Sequence, residues 1–141
     1  MRFLFSRSPL DPADPASGFD LGDLEIAGPE GTVSSTGRQP DQSFMIYLGM
    51  VDLIYGLTAL AEGTQGQYKF VGADSSFTVR FFRNKAGISA SAYGSQLGTE
   101  PVSDVLGGLR TGIEQFLADP ANVPPPSESA ARDLAAALTK L

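Results

Sequence analysis

The sequence predicts an α+β fold: an antiparallel sheet of about five to six strands packed on a long central helix, with two further helices at the C-terminal end. Three observations carry this reading. Residues 43 to 62 form an apolar run of helical length in which Asp52 is the one charge before the terminal Glu62. Residues 68 to 93 alternate with period two and are broken by "GADSS" and "NKAG", the pattern of an antiparallel meander. Val102, Val105, Leu106, Leu109, Ile113, Phe116 and Leu117 then keep the three-four spacing of an amphipathic helix. At 141 residues the chain is one domain by size, with a core at 19–118, a proline-rich linker at 119–127 and a terminal helix at 128–141.

Taken in order, "MRFLFS" reads as a short strand, and "RSPLDPADPASG" as an extended connector, because Pro9, Pro12 and Pro15 remove the donors and fix the φ angles that a helix needs. In "FDLGDLEIAGPEGTVSST", Leu24 and Ile26 alternate with Asp23 and Glu25, and "GPEG" supplies the turn of a hairpin returning through Thr32 to Ser35. Its acids, Asp20, Asp23, Glu25 and Glu30, read as one polar side. After Pro40 the long helix starts, with Asp41 or Ser43 able to accept hydrogen bonds from its first free N–H groups. At about 100° per residue, Gly49, Asp52 and Gly56 share one narrow strip. Each glycine inside a helix costs about 1 kcal/mol relative to alanine, so that strip is either packed closely or left open. Asp52 then reads as a polar residue on an open strip or as a partner of Arg80 or Arg83.

The meander has strands at Tyr68–Val71, Phe77–Arg83 and Ile88–Tyr93. In its middle strand Phe77, Val79 and Phe81 face the helix, and Thr78, Arg80 and Phe82 face away. An arginine beside an exposed phenylalanine suits either a partner surface or a second covering helix. Pro101 opens the next helix, which Gly107, Gly108 and Gly112 interrupt, and Ser127 caps a last helix with Ala131, Leu134, Ala135, Leu138 and Leu141 on its apolar side. That helix docks either on the body or on another chain.

Composition narrows the chemistry. With no Cys and no His, thiolate and imidazole nucleophile–base pairs and zinc sites built on nitrogen or sulfur are excluded. Carboxylate pairs such as Asp52 with Asp74 or Asp104 are tied by no local pattern, "GADSSF" lacks the glycine-flanked elbow of a nucleophilic serine, and the glycines of "VLGGLRTG" lie inside a helical pattern instead of a phosphate loop. No catalytic residue, cofactor site or metal site is read, and the chain does not read as an enzyme. Ten basic residues against 16 acidic ones give a net charge of −6, and the basic residues read as scattered, a poor surface for nucleic acid. The charge-free part of the long helix, Phe44 to Val51, is far shorter than the roughly 20 residues that cross a bilayer. The three apolar residues before Ser6 are too few for a secretory core, so a cytoplasmic protein with no membrane contact is expected.

"FMIYLGMVDLIYGL" followed by "YKFVGADSSFTVRFF" and a glycine-bearing helix resembles small actinobacterial proteins and, in its organisation, the immunity proteins of bacterial polymorphic toxin systems. The resemblance covers residues 19 to 118. It implies a small acidic α+β protein without catalytic residues that binds and blocks a cognate toxin. The partner-binding candidates are then the hairpin acids Asp20, Asp23, Glu25 and Glu30, suited to a basic toxin domain, and Arg80, Phe82 and Arg83 on the meander. The competing readings are a self-assembling protein, joined through the Gly49–Asp52–Gly56 strip or the terminal helix, and a small-molecule binder with a pocket between sheet and helix.

Overall fold

A computed structural model describes residues 1–8 and 14–141. Residues 9–13 of the proline connector, with Pro9 and Pro12, lie outside the described residues. Among the described residues the fold is α+β with three α-helices, but the strands form two antiparallel four-stranded sheets instead of one sheet of five to six. In the first sheet β2 (Leu21–Ala27) is central. It pairs with β1 (Arg2–Arg7) on one side, and on the other with β3 (Thr32–Ser34) and the two-residue β4 (Phe44–Met45). The second is a plain meander, β5 (Gln67–Val71), β6 (Thr78–Asn84), β7 (Gly87–Ala92) and β8 (Ser95–Glu100). The expected hairpin and three meander strands are present. The separation arises because the long helix α1 (Ile46–Glu62) runs between the two groups, so each sheet lays its apolar face on a common core.

The helix starts three residues later than its hydropathy suggests. Phe44 and Met45 pair with Gly22 and Leu21, and this ladder holds them extended. Neither Asp41 nor Ser43 caps α1: the Asp41 carboxylate accepts from the Ser43 amide and hydroxyl in a local turn, and Met45 stands at the cap without a side-chain bond. The helix closes at Gly63, whose φ of 78° suits a residue without Cβ.

Aromatic rings fill the space between α1 and the second sheet. Phe77, Val79 and Phe81 are all fully buried, as their alternation requires. Phe44 sits at the centre, edge-on to Phe70 at 5.5 Å and stacked with Phe77 at 6.1 Å. The helix glycines are packed, not open: a Cβ on Gly49 would strike the Phe44 ring, and one on Gly56 the Tyr68 ring. Tyr68 itself stacks on Phe81 at 5.9 Å.

The second helix, α2 (Val102–Leu117), lies on β1 and buries Val105, Leu109, Ile113 and Phe116. A Cβ on Gly112 would collide with the Phe3 carbonyl, whereas one on Gly107 meets nothing. Gly107→Ala is therefore expected to raise stability by up to about 1 kcal/mol, and Gly112→Ala to lower it by more than that. Urea midpoints of the two variants check this pair, and equal shifts would contradict the packing of α2 on β1.

The last helix, α3 (Ser129–Leu138), docks on α1 of the same chain and buries Ala130, Leu134 and Ala137, while Ala135 is exposed. Ser127 does not cap it. Glu128 stands at the cap without a local side-chain bond and accepts from the Gly18 amide at 2.6 Å, tying α3 to the chain before β2. The segment before α3 is fastened as well: the Tyr47 hydroxyl donates to the Asn122 carbonyl, and burial pushes that phenol up to about 12.

Candidate functional site

Among the described residues the second sheet is covered on one face only. Alternation turns Phe70, Val79, Phe81, Ile88 and Ala90 inward, where they are fully buried. The opposite face presents Gln67, Lys69, Arg80, Phe82, Ser89 and Ser91, and no helix crosses it among the described residues. The covering helix that could have explained Phe82 is absent from this face, since α2 lies on β1. Phe82 stays 36% exposed between Gln67 and Ser89 of the flanking strands.

Charge is concentrated here. Lys69 and Arg80 are cross-strand neighbours. The flanking bonds, from the Arg83 amide to the Gly66 carbonyl at 2.9 Å and from the Gly72 amide to the Phe77 carbonyl at 2.8 Å, place the ladder's hydrogen-bonded pairs at 66–83 and 72–77. Counting inward by two, Lys69–Arg80 is a non-hydrogen-bonded pair, the kind in which side chains stand closest. Like charges so placed are destabilising. Arg83 follows at the end of β6 opposite Ile88, which puts it on the other side of the strand from Arg80 and Phe82, Lys85 lies in the next turn, and none of the four makes an ion pair among the described residues. Four of the ten Lys and Arg residues thus gather on one sheet, contrary to the scattered distribution expected above; between residues 63 and 99 they meet a single acid, Asp74.

Tyr93 extends the surface and was not singled out by sequence. It is 49% exposed, has a φ of 53°, unusual for a residue with a bulky side chain, and occupies the β7–β8 turn with Gly94. The conformation is held from several sides: its hydroxyl donates to Gln42 at 2.6 Å, and the Arg38 guanidinium lies 3.7 Å over its ring. Two shallow depressions flank Arg80, one of about 250 Å³ toward Ser91, Tyr93 and Gln96, the other of about 290 Å³ toward Gln67, Lys69 and Phe82.

The hairpin acids are not brought onto one face. Asp20 is 7% exposed, bonds Arg7 at 3.1 Å and accepts from the Ser17 amide at 2.8 Å. Asp23 accepts from the Ser35 hydroxyl at 2.7 Å, Glu25 lies 4.0 Å from Arg2, and Glu30 is exposed in the turn. Asp23 and Glu25 line, with Leu4 and Ser34, a depression of about 170 Å³ on the outer side of the first sheet.

Asp52 pairs with neither Arg80 nor Arg83. It neighbours the Tyr68 hydroxyl, which is buried and has no partner at hydrogen-bonding distance among the described residues. Asp52 is exposed, yet desolvation by the surrounding protein raises its carboxyl above the usual carboxylate value, an effect the tyrosine partly offsets; burial and then the carboxylate push the phenol far upward. A carboxyl raised on folding binds more protons in the folded chain between its two ionisations, so its contribution to stability is greatest below the unfolded value and falls as pH rises through the folded one. Asp52→Asn removes that decline. The denaturation midpoint of the variant should rise relative to the parent from acid to neutral pH; a difference independent of pH would refute the assignment.

No group of three or more Asp or Glu side chains among the described residues is placed to hold a metal ion, and no described helix is long and apolar enough to cross a membrane. The chain matches no family model, no curated protein and no solved structure.

Proposed function

We propose that the protein is a non-catalytic binding protein of the immunity type, which neutralises a cognate bacterial toxin by laying the outer face of its second sheet against it. The observation that carries this reading is the uncovered Lys69–Arg80 pair beside exposed Phe82 and Tyr93. Close like charges have a cost that a merely soluble surface does not require, and an acidic partner surface would relieve it. Arginine and aromatic residues are also the side chains that most often dominate binding energy. A second reading has its own observation: the depression lined by Asp23 and Glu25 suits a basic partner.

Capture of a partner from the native host separates the two. Arg80→Glu with Phe82→Ala should abolish recovery of the toxin, and the same partner should stay bound to Asp23→Asn with Glu25→Gln. The opposite pattern would move the interface to the first sheet. Recovery unaffected by either double variant would remove both faces from consideration.

A further inference from the structure

We propose that the free edge of β5 is a strand-addition site, which takes an extended segment whose acidic side chains face outward and whose apolar side chains face α1. The inference rests on the reading that the second sheet is the contact surface, and it names the mode and chemistry of the contact.

Among the described residues β5 has a strand neighbour on one side only, β6, and its open side ends at Ala73, whose carbonyl accepts from the Met45 amide at 3.1 Å. Because the hydrogen-bonded pairs of that ladder fall on Gly66, Tyr68, Phe70 and Gly72, the N–H and C=O groups of Gln67, Lys69 and Val71 point away from it. All three residues are exposed, Val71 by 41%, and their backbone groups make no hydrogen bond beyond the ladder among the described residues. The edge is thus a row of unmet donors and acceptors, the template that strand-adding peptides use.

The two sides of this edge differ in charge. On the outer side Lys69 and Arg80 stand together without an acid, so an added strand gains from Asp or Glu at the position beside Lys69. On the inner side Asp52 lies on the exposed flank of α1 next to Tyr68 of β5, so an inward-facing acid would be repelled there. Alternation with period two puts acids on one side of an added strand and apolar residues on the other, and one register satisfies both faces. A second copy of this chain is a poor occupant: antiparallel pairing of β5 with itself about its centre would set Lys69 against its own counterpart. A lipid surface could meet the cations but not the backbone groups.

The test uses the isotopically labelled full chain and a capped seven-residue peptide of alternating valine and glutamate, with amide hydrogen exchange read by NMR. In the free protein the Lys69 and Val71 amides should exchange fast, and those of Tyr68 and Phe70 slowly. With the peptide at ten times its Kd, exchange at Lys69 and Val71 should slow about tenfold. A valine–lysine counterpart should leave it unchanged, and Lys69→Glu should weaken the acidic peptide about fivefold. Val71→Pro removes a donor that β6 does not use and should abolish the protection; if that variant does not fold, methylation of alternate peptide amides removes the same bonds from the ligand. Resonance shifts at Arg80 and Phe82 with Lys69 and Val71 still exchanging fast would overturn strand addition while leaving the face as the contact surface. No interaction at millimolar peptide would overturn it too, with the capture experiment still deciding the broader reading. Protection that grows with protein concentration alone would assign the edge to a second copy and sink the proposal.

Discussion

Truncating Phe44 to alanine is expected to lower the free energy of unfolding by about 3 to 5 kcal/mol. The side chain is fully buried, and its slot is made by residues that cannot follow it inward: Gly49 and Gly72 have no side chains to extend, and Phe70 and Phe77 are rings held from behind by the second sheet. The cavity would persist, which puts the cost at the upper end of such truncations. Phe81, also fully buried, belongs to the same class, whereas Phe82→Ala on the next residue, 36% exposed, should cost only about 1 kcal/mol. Urea denaturation of the three variants measures the contrast. A Phe44→Ala loss no larger than that of Phe82→Ala would mean that α1 does not close over the second sheet as described.

Arg7→Ala should be nearly as damaging, at about 3 to 5 kcal/mol, because it strands the Asp20 carboxylate in a site only 7% open to solvent. The exposed Arg110–Glu114 pair provides the control: removing it should cost at most about 1 kcal/mol. Replacing Arg7 and Asp20 together by apolar residues of similar volume should recover much of the loss, which a simple deletion of contacts would not. If Arg7→Ala behaves like the exposed pair, the carboxylate is hydrated and the pair is not structural. The same geometry bears on any attempt to probe the acidic hairpin by neutralising it. Glu25 and Glu30 can be changed at the surface, and Asp23 to asparagine, which keeps an acceptor for the buried Ser35 hydroxyl, but a variant that includes Asp20 would confound lost binding with lost stability.

Much of the fold was legible because periodicity reports which side chains face a core. Phe77, Val79 and Phe81 alternate without interruption, and Val105, Leu109, Ile113 and Phe116 keep helical spacing, so both elements stand where their patterns put them. Strand β8 was not legible: Ser95–Glu100 has one bulky apolar residue, Leu97, and a register irregularity in its pairing with β7 breaks the alternation. Nor was β4, whose two residues continue the apolar run of α1 and become a strand only because β2 lies beside them. The sheet count followed from these omissions, since local pattern says that a segment is a strand and not which strand it will meet.

The candidate site was half legible. Arg80 and Phe82 were picked out by alternation, which holds within one strand, whereas Arg83, grouped with them, is an odd number of residues from both and falls opposite inward-facing Ile88. The nearness of Lys69 to Arg80 depends on the register between two strands, and Tyr93 on a turn conformation that tyrosine rarely adopts. Asp20 was misjudged for the same reason: an acid next to a polar hairpin looks exposed until Arg7, on another strand, is placed opposite it.

The gathering of cations on the second sheet makes this acidic molecule electrically lopsided, with a positive pole on a body of net charge −6. Approach is therefore a contest between monopole and pole, decided by ionic strength. At about 0.01 M salt the screening length is near 30 Å, the whole negative body is felt, and an acidic partner is held off. At about 0.15 M it is near 8 Å, and only the nearest charges act once the partner reaches the Lys69–Arg80 face. Association should then pass through a maximum at intermediate salt instead of falling steadily, a kinetic signature of recognition by a minority charge.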